Sequence, residues 1–317
     1  MNGKRCFMSD YDLGNKVVQS NQWILGRWGL SNSLLKLFEM AVSCIDTSKP
    51  NPSRKITMNK QDIFELFEYN STDKYVVFQR HMQQLQGQKV VLQEGEKKRS
   101  VVLVPTIEWG ENENDNQVTF YFNEHIMPHL IELQAHFTQY ELLELKGMKG
   151  QYTIPIFKYL TMEHNRKIHL TENAQKGYVT INVSLDDFRY MTATEKKYKD
   201  FRNFRKRVLD NSIEEINAVR DNGTKRTNII VKYETLHGKY NKVIGIKFYI
   251  RKRQSATDND FDTVKINPYN VIDNEPRSAK ENNVTADDFH RGYYEKKKQM
   301  TKEEINKFES ELSEGKV

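Results

Sequence analysis

Only two cysteines, Cys6 and Cys44, occur in 317 residues. They stand alone, without the paired spacing of a metal site, and a reduced, cytoplasmic protein follows most simply. No apolar run approaches the length of a membrane span, and the first residues lack the apolar centre of a signal peptide, so no membrane partner is expected. No His-x-His occurs among His81, His125, His129, His136, His164, His169, His237 and His290. A rolling-circle nickase would need that motif, and Tyr293-Tyr294 is therefore an orphan pair. His125 and His129 have a zinc-compatible helical spacing, but Pro128 lies between them and no third ligand is apparent. Gly147-Met148-Lys149-Gly150 is too short for a phosphate loop and lacks its Gly-Lys-Ser/Thr ending. No carboxylates form a recognisable catalytic arrangement. No catalytic residues, no bound metal and no cofactor are expected.

What is present is positive charge, unevenly spread. The chain carries +6 overall, yet residues 256–317 hold 14 Asp and Glu against 10 Lys and Arg. Residues 1–255 therefore hold 39 cations against 29 anions. A basic body with an acidic tail suits a polyanion-binding protein, although a membrane-surface or ribosome-associated protein would share it. The length is enough for two ordinary domains.

The most informative stretch is TEKKYKDFRNFRKRVLDNSIEEIN, from Thr194 to Asn217. It reads as one amphipathic helix followed at once by another, with Thr194 as N-cap. Phe201, Phe204 and Val208 recur at three- and four-residue spacing and mark a buried face. Lys199, Arg202, Asn203, Lys206 and Arg207 fan across the opposite side. Arg205 lies nearest the buried edge, where it would reach a phosphate along the flank. A solvated basic face is the commoner fate of such a run, but the context on either side favours a nucleic-acid contact.

That context is a pattern written twice. Ile56–Phe67 (ITMNKQDIFELF) and, 125 residues later, Ile181–Met191 (INVSLDDFRYM) align as strand, cap and helix, Asn59 matching Ser184 and Asp62 matching Asp187. A helix precedes each copy: Ser31–Cys44 with a serine cap, and Lys149–Glu163. A helix also follows each: Thr72–Gln86, with Tyr75, Phe78, Met82 and Leu85 on one face, and the basic helix. Each copy ends in β-ribbon material. In the first this is Lys89–Gln93, Val101–Glu108 and Gln117–Phe122; in the second, Asn228–Thr235 and Val243–Ile250. Helix, strand, helix, helix, ribbon is the order of a winged helix, whose third helix enters a groove and whose hairpin is the wing. The predicted fold is α+β: an N-terminal arm over residues 1–20, winged helices over 21–137 and 138–253, and a flexible acidic, partly helical tail over 254–317. Thr285–Lys298 and Thr301–Leu312 are the helical candidates in that tail.

These segments resemble the plasmid replication initiators of the Rep-3 superfamily, nearest the RepB type of theta-replicating plasmids in lactic acid bacteria. DFRNFRKRVLDNSIEEIN (Asp200–Asn217) carries most of the resemblance, with support from YELLELKGMKGQYTIPIFKYL (Tyr140–Leu160) and VSLDDFRYM (Val183–Met191). Ile156-Phe157-Lys158 departs from the Arg-Leu-Tyr more usual in the family. The resemblance implies a protein whose monomers bind direct repeats, called iterons, in double-stranded plasmid origin DNA. It implies that they promote melting of an adjacent A·T-rich segment and engage host replication proteins such as the replicative helicase and the chromosomal initiator. Dimers, formed mainly through the first winged helix, would repress the protein's own gene. A tandem winged-helix transcription regulator without a replication role shares the same DNA-binding residues.

Carried onto this chain, base reading falls on Arg202, Asn203, Arg205, Lys206 and Arg207. Arg can fork onto guanine and Asn onto adenine, while Lys supplies phosphate attraction. In the first repeat Arg80, Gln83 and Gln84 face away from the apolar stripe. Contact through the backbone and a plain solvated helix are nearly equal readings there. Wing candidates are Lys97, Lys98 and Arg99 in the first hairpin and Lys239 and Lys242 in the second.

Overall fold

A computed structural model describes residues 15–26, 29–45, 53–69, 73–94, 97–110, 115–131, 136–254 and 270–271. The expected tail helices, Tyr293-Tyr294 and residues 1–14 of the expected arm lie outside them. Residues 15–20 of that arm are described. Strand β1 (Lys16–Ser20) leads into the short helix α1 (Asn21–Leu25).

The first winged helix opens with α2 (Asn32–Ser43), where Ser31 takes extended dihedrals and its hydroxyl accepts the Leu34 N–H, filling an otherwise orphan donor. β2 (Lys55–Asn59) delivers the chain into α3 (Lys60–Phe67), which stops where Glu68 turns left-handed. α4 (Lys74–Gln86) buries Phe78, Met82 and Leu85. The hairpin of β3 (Lys89–Glu94) and β4 (Lys97–Val102) is the wing.

The expected strand Val101–Glu108 does not run through. Leu103 and Val104 are buried one after the other, which breaks the two-residue alternation, and Pro105 has no N–H for a ladder. The chain resumes as β5 (Thr106–Trp109), and β6 (Gln117–Tyr121) joins β2 on one side and β5 on the other. Gln117–Phe122 thus belongs to a sheet beneath the wing rather than to the wing.

β7 (Phe137–Glu141) pairs antiparallel with β1. α5 (Thr153–Lys167) packs against α1, α2 and β7. Beneath it lies a buried polar knot. Lys158 Nζ stands 2.5 Å from Glu39 Oε1, while Gln19 (2.7 Å) and the Tyr140 hydroxyl (2.8 Å) donate to Glu39 Oε2. Lys158, the last of the three residues that depart from the family pattern, is therefore an ion-pair partner in the core.

The second winged helix follows α6 (Thr171–Lys176) with β8 (Val179–Ser184) and α7 (Leu185–Met191), capped by the Ser184 hydroxyl on the Asp187 N–H. α8 (Phe201–Phe204), a π-helical segment (Arg205–Asp210) and α9 (Asn211–Asn217) then run end to end as one rod. β9 (Ile229–His237) and β10 (Val243–Lys252) form its wing, and β10 pairs with β8. Phe188 ties the layers together, 6.2 Å from Phe204 and 5.5 Å from Phe248, centroid to centroid. β11 (Asn270–Val271), from the expected flexible tail, pairs parallel with β9 at Leu236 and His237.

Candidate nucleic-acid interface

The rod at 201–217 does not open where Thr194 predicts. Thr194 is buried, its N–H bonds to the Arg189 carbonyl, and its hydroxyl lies 2.8 Å from that of Thr192. It closes α7 instead, beside Ala193 in the left-handed region. The true cap is Asp200, whose carboxylate accepts the Arg202 N–H (3.1 Å) and the Asn203 side-chain amide (3.2 Å). Nor are there two separate helices, since the residues flanking the π segment keep helical dihedrals.

One face of the rod is sealed: Phe204, Val208, Leu209, Ser212, Ile213 and Ile216 are all buried. On the other, Arg202, Asn203, Arg205, Lys206 and Arg207 are exposed, with Lys199 just ahead of them. The wide π turn carries three successive cations between Phe204 and Val208. Such turns are frequent at functional sites.

Arg205 is the exception within the row. Its Nε donates to the Tyr233 hydroxyl at 3.2 Å and lies 3.6 Å from Asp210, to which Tyr233 also donates. The phenol and the carboxylate raise the guanidinium's pKa further, and burial together with Asp210 pushes that of Tyr233 up. Arg205 thus belongs to a bridge from the rod to its wing.

Positioning residues that the sequence reading missed surround the row. Arg189 stacks its guanidinium 4.2 Å above the Phe204 ring and donates to the carbonyls of Thr194 (3.2 Å), Lys197 (2.8 Å) and Tyr198 (2.9 Å). One side chain therefore holds the turn between the two helices of the motif. At the far end Asn217 donates to the Val231 carbonyl (2.7 Å) and accepts its N–H (2.9 Å), mimicking a strand neighbour. Arg253 donates to the carbonyls of Asn217 and Ala218. The Glu-Ile-Asn ending of the family-like segment is thus a structural splice rather than a contact surface.

The first repeat presents Arg80, Gln83 and Gln84 on exposed positions of α4. Lys97 and Lys98 lie on β4 opposite Glu94 and Gln93, with their side chains outside the described part. Arg99 is exposed, and its Nη1 lies 2.6 Å from His125 Nδ1. Lys239 and Lys242 are exposed at the tip of the second wing. Among the described residues no His, Cys, Asp or Glu cluster could hold a metal, and no helix is long and apolar enough to cross a membrane. His129 stacks on Trp23 instead (5.5 Å).

Two family models match this arrangement: "Initiator Replication protein, WH1" over residues 16–161 and "Initiator Rep protein, WH2" over residues 184–250, together more than half of the chain. The chain belongs to the Rep-3 family of replication initiators. A replication initiation protein of Escherichia coli is 22% identical over 207 residues, 64% of this chain, and the match spans 62% of that relative's length. The solved Pi initiator protein in complex with iteron DNA superposes with a TM-score of 0.60 at 18% identity, covering 77% of this chain and 100% of that one. At that identity the likeness is one of fold, and it supports two winged helices in tandem.

Proposed function

We propose that this initiator-family protein binds iterons in the double-stranded DNA of a plasmid origin, with the exposed side of the 201–217 rod as its main reading surface. The observation that carries this is the row Arg202, Asn203, Lys206 and Arg207, exposed on a helix whose opposite face is sealed into the second winged helix. Arg supplies a fork of donors for guanine O6 and N7, Asn a paired donor and acceptor for adenine N7 and N6, and Lys phosphate attraction. Arg80, Gln83 and Gln84 give the first winged helix a weaker second contact. Binding promotes opening of the origin and recruits host replication proteins, the replicative helicase and the chromosomal initiator among them. A dimer joined through the first winged helix represses the protein's own gene. The protein acts in the cytoplasm without catalysis of its own, as an initiator of the RepB type found on theta-replicating plasmids of lactic acid bacteria.

If both third helices enter the major groove on one face of the duplex, their centres lie about one turn, ~34 Å, apart and each site covers about 20 bp. Nuclease footprinting of the pure protein on its own plasmid origin tests this. Protection of repeats at that length is expected. No protection beyond that of unrelated DNA would sink the reading, and protection of a single half-turn would sink its two-headed form.

A further inference from the structure

The tip of the second wing presents an aromatic ring that the fold does not use. Tyr240 is fully exposed, and it and Asn241 both take left-handed dihedrals (φ 57° and 58°). A bulky residue in that region is strained, and such strain persists only where the surroundings impose it. Here they do. The Gly238 N–H donates to the Lys242 carbonyl at 2.8 Å, and His237 Nδ1 stands 3.1 Å from the Asn241 carbonyl, which it can approach only as a donor. The Thr235 hydroxyl, 2.7 Å from Nε2, fixes the other edge of that ring. A Cβ at Gly238 would fall 2.9 Å from Ile244 Cγ2, so a larger residue there would have to displace that side chain for the hairpin to close as it does. The outcome is a ring held clear of the protein between two exposed lysines, Lys239 and Lys242.

We propose that Tyr240 is a stacking site for an unpaired base, with Lys239 and Lys242 drawing in the phosphates on either side. In an intact duplex every base face is already covered by its neighbours, and a ring can reach one only by unstacking and kinking the helix at a cost of a few kcal/mol per step. An unpaired strand exposes those faces, and aromatic stacking between cations is the usual means of holding it without sequence preference. The partner is therefore single-stranded DNA of the kind an opened origin supplies. This rests on the reading of the protein as an origin-opening DNA binder.

Fluorescence anisotropy of the full chain tests it, with a labelled oligodeoxythymidylate of about 12 nucleotides and, separately, a duplex bearing the origin repeats. Tyr240→Asn removes the ring yet suits the left-handed turn, and Tyr240→Phe keeps the ring. Tyr240→Asn is expected to weaken oligonucleotide binding roughly 5- to 100-fold while the duplex affinity stays within about 2-fold, and Tyr240→Phe is expected to match wild type. Wild type that ignores the oligonucleotide, an unchanged Tyr240→Asn, or an equal loss on the duplex would each overturn the proposal. If wild type fails on the repeat duplex but keeps ring-dependent oligonucleotide binding, the function proposed above falls and this site stands.

Discussion

The carboxylate of Glu215, near the end of the 201–217 rod, accepts the backbone N–H groups of Lys149 (3.1 Å) and Gly150 (2.9 Å) ahead of α5. The Thr153 hydroxyl joins it at 2.6 Å. On the other side, Asn32 at the start of α2 donates to the Gly150 carbonyl at 2.8 Å. One peptide turn is thus held from the first winged helix by Asn32 and from the second by Glu215. Glu215→Ala leaves two N–H groups without their acceptor and should cost about 1–3 kcal/mol. Urea unfolding of the full chain measures it, and a midpoint unchanged from wild type would refute the role.

Arg189 should matter to DNA affinity without touching DNA. Arg189→Lys keeps the charge but cannot reach three carbonyls and cover the Phe204 ring together. It should lose about 1–2 kcal/mol of stability and several-fold in affinity for the origin duplex. If denaturation and gel-shift titration both match wild type, the turn does not depend on this clamp.

The exposed row should divide by chemistry. Lys199→Ala is expected to weaken all duplex sequences alike and to lower the salt slope by about 1, whereas Asn203→Ala or Arg207→Ala should narrow the gap between iteron and random DNA. Titrations at several salt concentrations on both duplexes separate these effects. Three variants behaving identically would contradict the division.

Lys36 is buried in α2, and burial lowers its pKa from 10.5 to about 8, against the pull of Glu68 and Glu215. Between those values the unfolded chain still holds the proton that the folded protein has released, so stability rises with pH. The gain is on the order of 1 kcal/mol per pH unit within that window and is lost as pH falls through the folded value. Lys36→Met should therefore be more stable than wild type at pH 7, and the two should converge toward pH 10.5 in chemical denaturation. Parallel curves would show that Lys36 does not titrate this way.

The Lys158–Glu39 pair is fully buried. Removing one partner strands the other charge, so Glu39→Gln should cost about 3–5 kcal/mol, while Lys158→Met added to Glu39→Gln, which keeps an amide oxygen as acceptor for Gln19 and Tyr140, should recover most of it. A thermodynamic cycle over the single and double variants gives the coupling, and a value near zero would show that the two charges act independently.

Much of this was legible in the chain because it is local. The apolar spacing of Ser31–Cys44, the serine caps at Ser31 and Ser184, and the Phe204/Val208 stripe all act within a few residues. The second wing read correctly because β9 and β10 are adjacent hairpin strands. Misreadings arose where distant groups decide. Thr194 looks like a cap by its type, yet Arg189 and Thr192 hold it at the end of α7, while Asp200 in front of Arg202 carried a signal of equal strength. Val101–Glu108 has strand composition throughout, and only the buried Leu103-Val104 step and Pro105 split it. No spacing rule joins Glu39 to Lys158 or Arg205 to Tyr233, because those contacts exist only after the layers have packed.

The pairing of β1 with β7 has a consequence for how the protein is made. Lys16 lies opposite Glu141 and Ser20 opposite Phe137, so the earlier strand has no strand partner until β7 has left the ribosome. Until then its N–H and C=O groups, and the apolar side of Val17, must stay solvated or shielded. Docking of this strand onto β7 therefore cannot precede synthesis of every residue of the first wing, which lies between the two strands.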